Sequence, residues 1–297
     1  MSTVVAAPAR PRVPVTAAPA RPRKLAVLPT IALIAGAVYC LLPVMWVVIA
    51  STKSGAELFA TFTFAPSTAL FDNVADLSAY RDGVYWRWML NSAIYAGLGA
   101  LASAVVSGLS GYTLAKFRFA GRTAIFNVIL AGVLVPQITL AIPQYLLLAR
   151  VDLTDTYLAV LLPSILSPYG IYLARIFAAA AVPDSVIEAA RTDGAGEFRI
   201  VRTIAAPMMM PGLVTIFLFQ FVAIWNNFLL PLIMLNDDRK FPITVGLYTL
   251  LNQGANEPVL YRLVITGALL SIIPLVLLFL YLQRFWRADL LTGIIKA

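Results

Sequence analysis

The charged residues of this chain are few, and six of them lie together within fifteen positions. They belong to the segment EAARTDGAGEFRIVRTIAAP and are Glu188, Arg191, Asp193, Glu197, Arg199 and Arg202. Ser185 and Glu188 have the S-x-x-E spacing of a capping box, which predicts a helix that begins just after Pro183. Gly194 is the residue type best able to adopt the left-handed conformation that ends a helix. The segment therefore predicts two short helices joined in an elbow at Gly194, the second beginning at Glu197.

The surface of the first of these helices suggests what the elbow is for. Ala189 and Ala190 predict a flat face of small side chains, against which the backbone of another protein can lie closely. The charged residues beside it would orient such a partner, as they do at many interfaces. A plain polar loop between two apolar segments needs neither a capping box nor a turn glycine. The spacing therefore favours a docking site for another protein, and the plain loop stays open as the alternative.

Uncharged polar residues inside otherwise apolar segments are the second group that could do chemistry. They are Gln137, Thr139, Gln144, Gln220, Asn226, Asn227, Thr266 and Ser271. Such amides and hydroxyls, together with an aromatic ring, could bind a neutral, hydroxyl-rich solute. The candidates for a solute path are Gln220, Trp225, Asn226 and Asn227, followed by Gln137 and Gln144. The alternative is that each of them only holds neighbouring helices together, which polar side chains commonly do in membranes.

Several kinds of chemistry lack the residues that they need. The chain has no histidine and a single cysteine, Cys40, so neither a zinc site nor a disulfide framework is expected. The cores of the apolar segments hold no charged residue, which argues against a proton-coupled carrier and a charged solute, although a sodium site of backbone carbonyls stays open. Neither a channel filter nor a set of catalytic acids and bases is visible. Without a G-x-x-x-x-G-K-[ST] loop, ATP hydrolysis would have to come from another chain.

The elements that must position these residues are apolar helices. Hydrophobic residues make up 61% of the 297 residues and charged residues 12%, and the mean hydropathy is +0.86, which leaves too little polar surface for a soluble protein. Six segments are long enough to span a bilayer. They lie near 25–51, 89–115, 124–149, 157–178, 209–235 and 263–283. The sequence thus predicts an all-α membrane protein with six transmembrane helices. In the second segment, Ser103, Ser107 and Gly111 recur every four residues and predict a close helix–helix contact.

The lysine and arginine residues set the orientation of these spans. With the N-terminus inside, the cytoplasmic stretches hold 15 of them and the outer stretches 7, which predicts N-in/C-in topology under the positive-inside rule. The elbow, at about 183–207, then faces the cytoplasm. Residues 1–24 contain AAPARPR twice and predict a disordered cytoplasmic arm, whose arginines either fix the topology or contact anionic lipid heads. Residues 25–297 are expected to form one membrane domain that ends in a tail at 284–297.

The elbow segment resembles a known motif. It contains Glu188-Ala189-Ala190, Asp193-Gly194-Ala195 and, nineteen residues after Glu188, Pro207. This spacing resembles the EAA loop of the permease subunits of ATP-binding-cassette (ABC) importers, although the usual leucine before that proline is Ala206 here. The segments LNSAIYAGLGA, GYTLAKFRFAGR, VPQITLAIPQYLLL, DTYLAVLLPSI and WNNFLLPLIML are similar to the carbohydrate-uptake branch that includes the maltose permease MalG. The resemblance extends over residues 25–297.

The resemblance implies a function and a set of partners. It implies a subunit of the bacterial inner membrane that forms half of the path for a neutral di- or oligosaccharide, delivered by an extracytoplasmic binding protein. The other half would be a second, homologous permease, and the elbow would dock on a cytoplasmic ATPase dimer. That ATPase would hold ATP and Mg²⁺, so this chain would need no cofactor, no metal and no nucleic acid, and lipids would surround it. Gly293 and Lys296 match a family tail that can reach into the ATPase dimer, whereas Asp289 and Leu291 depart from it. A glycerol phosphate or another solute is the nearest alternative.

Overall fold

The computed structural model describes residues 27–253 and 258–285, and within these ranges every regular element is helical. The chain divides into two units, residues 1–45 and 46–297. The predicted arm at 1–24 and most of the predicted tail, including Gly293 and Lys296, lie outside the described residues. In chain order the α-helices of the described ranges are α1 (Val27–Ala50), α2 (Gly55–Ala60), α3 (Leu70–Ala79), α4 (Val84–Lys116), α5 (Arg122–Val133), α6 (Gln137–Ala149), α7 (Tyr157–Ile165), α8 (Pro168–Ala181), α9 (Asp184–Thr192), α10 (Glu197–Ile200), α11 (Ala206–Trp225), α12 (Leu229–Met234), α13 (Ile243–Gln253) and α14 (Pro258–Leu282).

The helices that could cross a membrane number four, or up to six, in the part of the chain that the structure describes. The four long apolar stretches are Pro29–Ala50, Leu70–Lys116, Glu197–Trp225 and Leu260–Leu282. Two further pairs of helices qualify only if each pair counts as one bent span. The all-helical fold is therefore confirmed. The predicted segment 25–51 coincides with α1 to within two residues, whereas α4 and α14 each begin five residues before the predicted segments 89–115 and 263–283 and end within one residue of them.

The predicted single span at 124–149 is wrong as a continuous helix. It is made of α5 and α6, whose axes differ by 104°. Pro136 has extended backbone and precedes the first turn of α6. The break between the two helices falls here because proline has no N–H to donate and disfavours helical backbone in the residue before it. The predicted span at 157–178 is likewise divided into α7 and α8, with a bend of 40° at Pro168. Pro163, in contrast, lies inside α7 without ending it.

The predicted segment 209–235 is also not one helix. Helix α11 ends at Trp225, and α12 begins only at Leu229. The backbone carbonyl of Asn227 accepts a hydrogen bond of 2.7 Å from the Thr244 hydroxyl of α13 instead of continuing the helical pattern. Asparagine side chains favour such helix ends because they compete for backbone hydrogen bonds. The side chain of Asn226 does so here, since its amide donates to the Val222 carbonyl at 2.8 Å.

Helix α4 is the longest element and lies at the centre of unit 46–297, packed against α7, α8, α11 and α13. Its predicted small-residue face is confirmed, because Ser103, Ser107 and Gly111 are all buried. A Cβ atom on Gly111 would lie 2.5 Å from both the backbone nitrogen of Arg175 and the Cβ of Ala174, so α8 touches α4 directly. Only a glycine permits this approach of two backbones.

The N-terminal part of α4 holds the backbone of residues 238–243, which lead into α13. Four buried side chains at i, i+3, i+4 and i+7 make these hydrogen bonds: Trp88, Asn91, Ser92 and Tyr95. Trp88, Asn91 and Tyr95 donate to carbonyls, and Ser92 accepts from the N–H of Ile243, over distances of 2.8–3.0 Å. Because all four lie on one helical face, this turn of backbone is fixed to α4.

Candidate functional site: an elbow and a charge-free cavity

The predicted elbow is present. Helix α9 ends at Thr192, and α10 begins at Glu197 as expected. Gly194 has φ = +80°, which confirms the left-handed turn, and the N–H of Ala195 donates to the carbonyl of Ala190 at 3.0 Å. The guanidinium of Arg191 and the carboxylate of Glu197 form an ion pair of 2.7 Å across the turn. The two short helices are thus joined by a backbone turn and by one pair of opposite charges.

The predicted capping box at the start of α9 is wrong. The helix begins at Asp184, so Ser185 lies inside the first turn rather than at the capping position, and Pro183 caps it without a side-chain bond. Asp184 in the first turn is instead bonded to another helix, because its carboxylate accepts a hydrogen bond of 2.7 Å from Lys116 at the end of α4. That hydrogen bond and the charge of Lys116 hold the pKa of Asp184 below its ordinary value. A carboxylate in the first turn also interacts favourably with the helix dipole.

The predicted face of paired alanines is only half correct. Ala189 is exposed, together with Glu188, Asp193 and Gly194, whereas Ala190 is buried and only 9% exposed. Ala190 and Ile187 are three residues apart and pack into the same apolar cluster beneath the elbow. The small side chain at 190 therefore brings α9 close to the core of its own chain, and the outward face is formed by Glu188 and Ala189.

A cavity of about 510 Å³ lies among α5, α6, α7, α8, α11 and α12. Its polar lining consists of Gln137, Gln144, Ser164, Ser167, Tyr169, Gln220 and Asn227. None of the described residues that line it is charged. The bend between α5 and α6 forms one wall, so that Gln137 lines the same cavity as Gln220 of α11. Gln220 is itself fixed by a hydrogen bond of 3.0 Å from its amide to the Ser103 hydroxyl of α4.

Four of the six residues predicted for a solute path thus share one cavity. Trp225 and Asn226 do not line it. Trp225 is buried, 2% exposed, and stacks on Phe221 with ring centroids 5.6 Å apart. Asn226 is exposed at the end of α11, where its side chain bonds back to its own helix. The aromatic faces of the cavity come instead from Tyr169 and Phe219, whose ring centroids are 6.2 Å apart.

Comparison with known proteins assigns this arrangement to a family. Residues 104–289 match the family described as "Binding-protein-dependent transport system inner membrane component". The matched range contains the elbow and every helix around the cavity. The chain belongs to this family. It is therefore a multi-pass protein of the bacterial plasma membrane and a transport subunit rather than an enzyme.

Two relatives and one solved structure show how far the similarity extends. The permease is 34% identical over 257 residues to "Arabinooligosaccharides transport system permease protein AraQ" of Halalkalibacterium halodurans, over 86% of this chain and 90% of that protein. It is 30% identical over 261 residues to "sn-glycerol-3-phosphate transport system permease protein UgpE" of Rhizobium meliloti, over 86% and 92% of the two chains. A chain of a bacterial ABC transporter involved in the import of the acidic polysaccharide alginate superposes with a TM-score of 0.77 over 90% of this chain and 99% of that chain, at 22% identity, which shows the fold. The resemblance to ABC-importer permeases of the carbohydrate-uptake branch is thus confirmed.

The permease carries an exposed apolar residue at the elbow that sequence reasoning missed. Phe198 lies on α10 between the charged Glu197 and Arg199 and is 80% exposed. A large aromatic side chain surrounded by charges is typical of the anchors at protein interfaces. The sequence did carry a signal for this residue, because Phe198 is the single aromatic residue in the segment 188–207. Tyr169 and Phe219 were missed for another reason, since each stands in an apolar run from which nothing distinguishes it.

Proposed function

We propose that this permease moves a neutral di- or oligosaccharide through the cavity described above. The observation that carries the proposal is the lining itself, which offers four amides, two serine hydroxyls and two aromatic rings without a charge. Sugars are bound by hydrogen bonds to their hydroxyls and by contact with aromatic faces. An anion, in contrast, needs cationic or clustered N–H donors. The arabinooligosaccharide permease among the relatives supports the same substrate class.

The proposal includes the assembly around the chain. The elbow, with Glu188, Ala189, Asp193, Gly194 and Ala195, docks on a cytoplasmic ATPase dimer that holds ATP and Mg²⁺. Phe198 is the apolar anchor of that contact, because it is the most exposed large apolar residue of the elbow. A second, homologous permease completes the path, and an extracytoplasmic binding protein delivers the sugar. Gly293 and Lys296 of the tail extend the contact with the ATPase.

We also propose six spans in N-in/C-in orientation, with each bent pair of helices counted as one span. The distribution of lysine and arginine, 15 inside against 7 outside, supports it. In a chain whose Cys40 is replaced by serine, Ser78→Cys should react with a membrane-impermeant maleimide from outside the cell, and Ala195→Cys only after the membrane is opened. Reaction of both positions from one side would contradict this topology.

A glycerol phosphate is the second candidate substrate, and the similarity to UgpE is the observation that favours it. Glycerol phosphate is an anion and the oligosaccharide is neutral, so the uncharged lining of the cavity favours the oligosaccharide. The test is uptake by proteoliposomes that contain the complete complex, purified from its own membrane through a tag on this chain. Radiolabelled arabino-oligosaccharides and other neutral oligosaccharides are offered beside glycerol 3-phosphate, each with ATP inside the vesicles.

The expected result is ATP-dependent uptake of a neutral oligosaccharide and none of glycerol 3-phosphate. Gln144→Leu should then lower uptake at low sugar concentration, because it removes an amide of the cavity while keeping the volume of the side chain. Asn226→Ala is the matched control, since this exposed amide lies outside the cavity. Uptake confined to glycerol 3-phosphate would overturn the neutral-sugar proposal.

A further inference from the structure

The hydroxyl of Tyr112, near the end of α4, is buried without a hydrogen-bond partner among the described residues. The side chain is 2% exposed, so bulk water does not reach it. Buried polar groups in proteins are nearly always hydrogen-bonded, because an unpaired one loses its interaction with water and gains nothing in return. Such a group calls for an explanation, and a partner that it meets in another arrangement of the molecule is one.

The surroundings of Tyr112 belong to the elbow. Its ring packs edge-on against Phe117, with centroids 6.0 Å apart, and the guanidinium of Arg191 lies 5.8 Å from the centre of the Phe117 ring. The charged groups that act on the Tyr112 hydroxyl are the carboxylate of Glu197 and the guanidinium of Arg191. These two residues form the ion pair across the Gly194 turn. The Tyr112 hydroxyl is therefore close enough to the pair that joins α9 to α10 to interact electrostatically with both of its members.

The same end of α4 also holds the other end of α9. Lys116, one turn after Tyr112, is largely buried, with 7% of its side chain exposed, and bonds to Asp184 in the first turn of α9 at 2.7 Å. The last turn of α4 thus contacts α9 at its start through an ion pair and at its end through aromatic and cationic groups. A movement of α9 relative to α4 therefore alters these contacts, while α10 continues through a π-helical turn at Val201–Ala205 into α11.

We propose that Tyr112 is a positioning residue of the elbow, whose hydroxyl donates a hydrogen bond to the Glu197 carboxylate when the elbow shifts on the ATPase. The carboxylate has room for this bond, since it accepts from Arg191 through one oxygen and retains the other. The proposal rests on the proposed function, because it takes the elbow as the ATPase contact. The unpaired hydroxyl destabilises the arrangement described here relative to the shifted one, and so favours the shift when the ATPase engages.

The test is Tyr112→Phe in the complete complex with its ATPase and binding protein. Phenylalanine keeps the ring contacts and removes only the hydroxyl. The melting temperature of the resting complex should stay equal or rise, because a buried unpaired group has been removed. The stimulation of ATP hydrolysis by sugar-loaded binding protein should fall about fivefold, the lower end of typical coupling effects.

Tyr85→Phe is the matched control on the same helix. The Tyr85 hydroxyl is also buried, but it donates to the carbonyl of Gly267 at 2.9 Å. Its loss should lower the melting temperature while the stimulation of ATP hydrolysis per folded complex stays at the wild-type level. Glu197→Ala should reduce stimulation as Tyr112→Phe does, and the double variant should be no worse than the worse single variant, because both remove the same bond.

Two results would overturn the role of Tyr112. One is wild-type stimulation in Tyr112→Phe, which would mean that the hydroxyl has no partner in the working cycle. The other is a melting temperature lowered as much as in Tyr85→Phe, which would mean that it is already bonded at rest. Failure of the proposed function is distinguishable, since the wild-type complex would then show no stimulation by sugar-loaded binding protein at all.

Discussion

The two ends of α4 hold their neighbours in different ways. At the N-terminal end, Trp88, Asn91, Ser92 and Tyr95 are buried and every one is bonded to backbone of residues 238–243. At the C-terminal end, the ion pairs of the elbow are Lys116–Asp184 and Arg191–Glu197, whose acidic partners are 78% and 45% exposed, and the Tyr112 hydroxyl nearby has no hydrogen-bond partner among the described residues. Exposed ion pairs contribute little free energy, whereas buried satisfied networks are rigid.

This difference indicates that the two ends of α4 serve different purposes, one as a fixed attachment and the other as an adjustable one. Movement requires local structure of low stability, and function in proteins is often placed in such regions. The N-terminal end of α4 has the features of a fixed attachment. The C-terminal end has those of an adjustable one. With 33 residues, the helix is about 50 Å long, so it connects the two across the thickness of a membrane.

The largest effect is expected at the fixed end. Asn91→Ala would leave the carbonyls of Arg239 and Phe241 and the hydroxyl of Tyr157 without their partner at 2.8–3.0 Å. We expect a loss of about 3 kcal/mol in stability, measured as a lower unfolding midpoint of the purified complex in detergent. Thr113→Val, at an exposed position of the same helix, is the control and should change the midpoint little. Equal midpoints for both variants would remove the contrast between the two ends.

The next effect concerns the contact between α4 and α8, which is tight although it lies near the adjustable end. Gly111→Ala would bring a Cβ to 2.5 Å from the backbone nitrogen of Arg175, so we expect a loss of about 2 kcal/mol. Gly97→Ala is the control on the same helix, because nothing lies within 4 Å of its added Cβ. An unchanged midpoint for Gly111→Ala would show that α8 can move away from α4 easily.

A smaller effect on stability, with a larger one on activity, is expected at the turn. Gly194→Val forces a β-branched residue to φ = +80°, a strain of about 1–2 kcal/mol. Stimulation of ATP hydrolysis should fall by about tenfold while the complex still assembles. Gly196→Ala is the control, since its backbone is extended and its added Cβ would meet nothing within 4 Å. Normal sugar transport by Gly194→Val would show that the turn is not needed for coupling.

The smallest effect is a pH dependence of the Lys116–Asp184 pair. The hydrogen bond and the charge of Lys116 lower the pKa of Asp184 in the folded chain from its ordinary value of 3.8. The ion pair therefore stabilises the folded chain at pH values above 3.8, and this stabilisation is lost as the pH falls through the lowered pKa. Lys116→Met should therefore lower the melting temperature slightly near pH 7, and the difference from wild type should shrink as the pH falls below 3.8. A difference that persists there would mean that Lys116 acts through the packing of its stem rather than through its charge.

The elbow shows where sequence reasoning works and where it stops. The turn at Gly194 and the start of α10 were predictable, because they depend on the conformational freedom of one glycine and on neighbouring residues. The capping box failed because Ser185 satisfies the same spacing from inside the helix. The helix begins at Asp184 after the extended Pro183, and the carboxylate of Asp184 bonds to Lys116, which lies 68 residues away. Ala190 was assigned to the wrong face for a related reason, since its burial depends on the core beneath it.

The sequence by itself determined the helical class, the apolar segments, the elbow and the family, because composition, local conformation and motif spacing are properties of neighbouring residues. Pro136 gave a local signal for a break between α5 and α6, but its angle of 104° is set by packing. Only the tertiary structure decided that Gln137, Gln144, Gln220 and Asn227 share a cavity, while Trp225 is buried in the core. It also left the Tyr112 hydroxyl without a hydrogen-bond partner in the part of the chain that the structure describes. The reason is physical: which side of a helix faces a cavity, and which polar group finds a bond, depends on contacts between segments far apart in sequence.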